Sequence, residues 1–179
     1  REIGVPLDRE TLSKRLTLHL DAEPQEIVTG VWTTGEITDR PAPMGRGKQH
    51  LVREGDQWQP DPYRDDMSLI LETPAGLVLL CGCCHAGLLN TLRRAQEVAD
   101  ERLGRRDFVV IAGGTHLTGV SADHLDEIVD VLRGISTLER IYLNHCSGAQ
   151  ALYALQAAFG TDVARPCPAG TRLEMGGGV

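Results

Sequence analysis

The sequence predicts a layered α/β fold on three observations: strand-like apolar runs recur along the second half, each gives way to helical spacing, and small-residue turns join the two. At 179 residues and 41% hydrophobic content the chain supports one substantial core, read as a single domain over 1–179. The formal net charge of -7 argues against a nucleic-acid or anionic-membrane surface, either of which wants clustered Lys and Arg. No apolar run approaches the roughly 18 residues of a membrane span. The 5 cysteines are an odd number in an ordinary length, so a disulfide framework is not expected and a reducing, cytoplasmic setting is.

Residues 8–13 predict a short helical turn. Leu16, Leu18 and Leu20 alternate with polar residues at period two, as in a half-buried strand, and a second strand is expected over 27–33. Pro, Gly, Arg, Gln and Asp dominate 38–62, which reads as a long surface excursion, a feature uncommon unless it covers something. Two runs, 67–72 and 77–81, joined by Thr73, Pro74, Ala75 and Gly76, predict a hairpin whose second strand is buried on both faces. Leu88, Leu92, Ala95 and Ala99 then follow helical spacing, predicting a helix over 87–102.

The unit recurs twice in kind. A strand over 108–112, a turn at 113–116 and a helix over 121–132 come first, followed by a strand over 141–143, a turn at 144–148 and a helix over 149–159 closed by Gly160. Two short strands, 163–165 and 171–174, are expected to complete the sheet. In such folds ligands enter the crevice at the carboxyl ends of the strands. Each of the three strand-to-helix turns carries a histidine there: His85, His116 and His145.

Neutral imidazole is a common zinc ligand, and catalytic zinc usually takes three protein ligands plus water. Any one of these histidines alone reads more simply as a hydrogen-bonded turn residue; three at equivalent places favour a metal site. Cys81, Cys83 and Cys84 beside His85 offer a rival, thiolate-based centre. Their spacing lacks the paired Cys-x-x-Cys of structural zinc modules, and Cys81 is expected to face the core. Asp65 and Asp66 read as a solvated turn, with Asp66 also a candidate to ligate or to orient a ligating histidine. Gly113 and Gly114 are too short a run for a dinucleotide fingerprint. Trp32, Trp58 and Tyr63 read as core or lid packing, and His19, His50 and His124 have no supporting pattern.

Taken together, Thr34 to Ile37, Asp65 to Leu69, Gly82 to Gly87, Gly113 to Leu117 and His145 to Gly148 resemble, in order and spacing, a metallo-β-lactamase-fold family, the branch typified by dihydropterin-ribofuranosyl-aminobenzene phosphate synthase. The resemblance runs from about Ile27 to Glu174 and implies an αββα sandwich with one or two metal ions, zinc or another divalent cation, between its sheets. It implies a metal-bound hydroxide acting on an ester, amide or phosphoester. Metal ligation falls to His85, His145 and His116, with His116 and Asp66 the candidates closest to the chemistry. That fold carries a His-x-His-x-Asp-His motif in its N-terminal half, and no His-x-His occurs here. The motif is expected upstream of residue 1, making the fold class a partial metallo-β-lactamase-type sandwich.

The expected function is a metal-dependent hydrolase acting on a small, phosphorylated substrate, inactive in this shorter form and without nucleic-acid or membrane partners. The alternatives are a non-catalytic binding module that keeps the fold, and a Cys/His metal or redox module. Apolar surface left by a missing first sheet predicts homodimerisation or a failure to fold alone.

Overall fold

The computed structural model describes residues 5–45 and 50–175; residues 1–4 and 176–179, and part of the predicted excursion, 46–49, lie outside the described residues. Helix α1 (Arg9–Ser13) starts where Asp8 accepts a 2.7 Å hydrogen bond from the Thr11 amide. The strand predicted over 16–20 is absent: Leu16 and Leu20 are 58% and 66% exposed, because the alternation there meets no neighbouring strand or core. The strand predicted over 27–33 is instead a hairpin, β1 (Glu26–Val28) and β2 (Val31–Thr33), reversed at Gly30 with φ of 76°. The excursion contains a separate hairpin that the sequence reading did not predict, β3 (Leu51–Glu54) and β4 (Gln57–Pro60).

The predicted hairpin of the middle region is β5 (Ser68–Thr73) and β6 (Gly76–Cys81). Thereafter α2 (Leu88–Leu103), β7 (Phe108–Gly114), α3 (Ala122–Arg133), β8 (Arg140–Asn144), α4 (Ala149–Phe159) and β9 (Ala164–Pro166) follow in the expected alternation. The last predicted strand, over 171–174, does not form; that segment is irregular. One seven-stranded sheet runs β1-β2-β5-β6-β7-β8-β9, antiparallel as far as β6 and parallel from β6 to β9.

Helices α2, α3 and α4 cover one face of this sheet. Their apolar stripes meet alternate strand residues, and Leu92, Ile111, Ile128 and Ile141 are each at most 1% exposed. Each such side chain contributes about 1.5–3 kcal/mol through removal from water. The opposite face carries Val78, Val110 and Ala112 beside Leu71 and Tyr142, with Leu173 and Met175 of the irregular C-terminal segment laid over them. Leu80 on that face is 40% exposed. Among the described residues the main sheet is therefore packed by helices on one face only. No helix among them is long and apolar enough to cross a membrane.

Candidate metal centre

Parallel pairing aligns the strand ends. Cys81 lies opposite Gly113, and Gly114 opposite Asn144, so the turns after β6, β7 and β8 emerge side by side. Their approach requires glycine. A Cβ on Gly113 (φ 123°) would stand 2.1 Å from the Cys81 carbonyl oxygen, and one on Gly114 would stand 2.6 Å from that of Gly82. The turns are then tied together by buried hydroxyls: Ser147 Oγ accepts from the Thr115 amide at 3.2 Å and from Thr115 Oγ1 at 2.8 Å.

The ring centroids of His85 and His116 stand 4.4 Å apart, and Tyr63 stacks on His85 at 4.2 Å. His50 closes this aromatic cluster, 5.8 Å from His85, with its Nδ1 2.7 Å from the Tyr63 hydroxyl. Arg40 positions Tyr63 from behind by donating to the carbonyls of Ile37, Pro62 and Tyr63. Asp66 accepts a 2.8 Å hydrogen bond from the Ala86 amide through one carboxylate oxygen and so holds the turn that carries His85.

Burial lowers the His85 pKa from its ordinary value, against the opposing pull of Asp66; burial and the neighbouring His85 and His50 lower that of His116. Both rings are thus neutral near neutral pH, the state in which imidazole binds a metal. His85 Nδ1 is buried with no hydrogen-bond partner among the described residues. An orphaned buried ring nitrogen beside a second neutral imidazole fits a divalent cation, which would satisfy it.

Two overlapping groups have donor atoms that all lie within 4.8 Å of one another: Cys83 with His85 and His116, and Cys83 with His145 and Cys146. The three predicted histidines are therefore brought to one edge of the sheet but divided between two groups that share Cys83. Of the cysteine cluster weighed as a rival centre, Cys81 and Cys84 are buried in the core and only Cys83 faces the histidines. The Cys83 thiol is pushed up to about 12 by burial and by the Cys146 sulfur beside it.

A strap from the long excursion lies over these turns. Asn90, 1% exposed, accepts from the Ala42 amide at 2.9 Å and donates to the carbonyls of Ala42 and Ala86 at 2.8 and 2.7 Å. The strap passes so close that a Cβ on Gly87 would meet the Pro43 carbonyl oxygen at 2.3 Å, and one on Gly45 would meet His116 Cβ at 2.8 Å. The excursion does cover something, as its length and composition predicted. Among the described residues, the non-glycine positions with positive φ are Tyr63, Cys84, His116 and His145, all at this site.

Sequence reasoning missed His50, Tyr63 as a ring partner, Arg40, Asn90 and Cys146. Long-range packing brings the first four in, and no local periodicity marks them. Cys146 had a signal, its place beside His145 in a turn equivalent to that of Cys83 and His85.

No family model matches the chain. In sequence it is 26% identical over 163 residues to the 7,8-dihydropterin-6-methyl-4-(β-D-ribofuranosyl)-aminobenzene-5'-phosphate synthase of Methanocaldococcus jannaschii, covering 88% of this chain and 52% of that protein. It is 28% identical over 156 residues to an uncharacterised protein of the same organism, covering 87% of this chain and 55% of the relative. The chain thus spans about half the length of the curated relatives it matches. A crystal structure of a metal-dependent hydrolase of the β-lactamase superfamily superposes with a TM-score of 0.75 at 24% identity, over 89% of this chain and 58% of that one. Motif order, sequence similarity and backbone agree: this chain has the metallo-β-lactamase superfamily fold and resembles the dihydropterin-ribofuranosyl-aminobenzene phosphate synthase branch.

Proposed function

We propose that these residues form part of a metal-dependent hydrolase-type site acting on a small, phosphorylated substrate. The observation that carries this reading is the pair of neutral, half-buried imidazoles of His85 and His116 on adjacent strand ends, one with an orphaned buried nitrogen. A divalent cation, zinc in the first instance, supplies Lewis acidity toward a carbonyl or phosphoryl oxygen. His85 and His116 hold it, with His145 the further candidate on the neighbouring strand end. Tyr63 and Asp66 keep the His85 ring and its turn in place, and the strap carrying Ala42 and Gly45 limits water on one side.

A shallow cavity of about 250 Å³, lined by Asn144, His145, Ser147, Gly148 and Leu152, lies at the start of α4. No side chain caps the start of α4, and an uncapped helix start suits an anionic group, so this cavity is the proposed seat for the substrate's charged end. The alternative is a non-catalytic binding module that keeps the fold, in which the strand-end cavity holds a ligand without turning it over. On the hydrolase reading, too, the 179 residues alone are expected to bind the cation without turnover.

The test is zinc titration of the chain, followed by NMR of the histidine side chains. Selective shifts of the His85 and His116 ring signals, lost in the metal response of His85→Ala, support the metal reading. Rings that do not respond to zinc would leave the binding-module reading in place.

A further inference from the structure

We propose that Cys83, Cys146 and His145 form a binding site for a thiophilic divalent cation of the zinc class, different in donor chemistry from the His85–His116 pair. Its two sulfur donors are left unused by the hydrolase reading, and His145, the further candidate ligand there, is the one residue that the two readings share. Cys83 and Cys146 are separated by 63 positions, yet their sulfurs stand 3.3 Å apart, and the His145 ring nitrogen completes a group within 4.8 Å. Zinc bonds of about 2.3 Å to sulfur and about 2.0 Å to nitrogen place tetrahedral donors roughly 3.8 Å apart for a sulfur pair and roughly 3.5 Å apart for sulfur and nitrogen. The donors need shifts of only tenths of an ångström to a little over one to reach that geometry.

One of the two sulfurs already has a backbone donor in place. The His116 amide donates to Cys146 Sγ at 3.2 Å, the kind of backbone bond that stabilises charge on a ligating sulfur. Gly114 makes room for that sulfur: a Cβ there would lie 3.1 Å from it and 3.3 Å from His145 Cδ2. His145 is exposed and both cysteines are half-buried, so a cation has a path from solvent to a partly dry sulfur pair. Binding converts two thiols and one cation into a dithiolate complex and releases both thiol protons, with no change of oxidation state.

Cobalt(II) is the probe, added to the full chain kept reduced. The expected result is the near-ultraviolet thiolate-to-cobalt charge-transfer band at one equivalent. The band should vanish in Cys83→Ser and in Cys146→Ser, weaken at least tenfold in apparent affinity in His145→Ala, and survive in His85→Ala. Loss of zinc response at His85 with survival of this band would separate failure of the hydrolase reading from failure of this one. Because a serine variant is able to misfold, the unaltered chain is also alkylated with iodoacetamide with and without cadmium(II) and read by mass spectrometry. Protection of Cys83 and Cys146 but not Cys167 supports the site. A band that persists in Cys146→Ser, equal alkylation with and without cadmium, or a Cys83–Cys146 disulfide that survives the reductant overturns it.

Discussion

Replacing Asn90 by leucine, nearly the same shape without its polar end, tests whether the strap over the site is held by one side chain. Three hydrogen bonds end on this amide, two of them to Ala42 and one to the fully buried Ala86. Each buried group left without a partner costs about 1–3 kcal/mol. Ala42 is only half-buried and regains water if the strap lifts, so the full sum is not reached; the loss is then the Ala86 carbonyl plus the docking of the strap. The expected destabilisation of Asn90→Leu is about 2–4 kcal/mol. Urea unfolding measures it, and amide exchange at Ala42 should accelerate far more than exchange in β7. Asn90→Asp offers an internal control: one carboxylate oxygen still accepts from Ala42, but the other faces two carbonyl oxygens. That variant should be at least as unstable at neutral pH and recover as acid protonates the new carboxyl, since the neutral form alone donates to a carbonyl. A loss under about 1 kcal/mol with Ala42 exchange unchanged would refute the account.

The depressed pKa values of His85 and His116 set a pH dependence for the metal-free chain. Below the ordinary histidine value of about 6.5 the unfolded chain binds more protons than the folded one, so stability falls on acidification and the urea midpoint at about pH 5 lies below that at about pH 7. Replacing both rings with phenylalanine should flatten that slope; an unchanged slope would assign it elsewhere. Gly113→Ala drives a Cβ into the Cys81 carbonyl from a positive φ, and thermal unfolding should show a loss of several kcal/mol, of order 3 or more. Ile128→Ala opens a cavity beneath α3, with an expected cost of about 2–5 kcal/mol by denaturant titration and little effect on metal binding.

Legibility followed the range of the interactions. The stretch from Leu77 to Phe159 reads correctly because each apolar run is buried by its own neighbours in sequence, and the change from strand to helical spacing is a local signal. Leu16 to Leu20 misled because alternation states only that a strand would have an apolar face, not that a partner exists. The β3–β4 hairpin was obscured by polar strands whose residues are mostly exposed. At the site the histidines were legible as strand-end residues. Their division between two donor groups around Cys83 was not, because it depends on how closely Gly113 and Gly114 let the turns approach. Tyr63 and His50 meet His85 only because Arg40 and the excursion fold back over it.

The left-handed backbone at Tyr63, Cys84, His116 and His145 means that this edge of the sheet is where the molecule gives up stability to aim side chains. Each such residue costs on the order of 1 kcal/mol relative to a glycine in the same place. Selection for thermal resistance alone, with no demand for metal or substrate, should therefore drift toward glycine at these positions. A library screened that way would reveal the functional edge as the set of sites where gains in folding and losses in binding coincide.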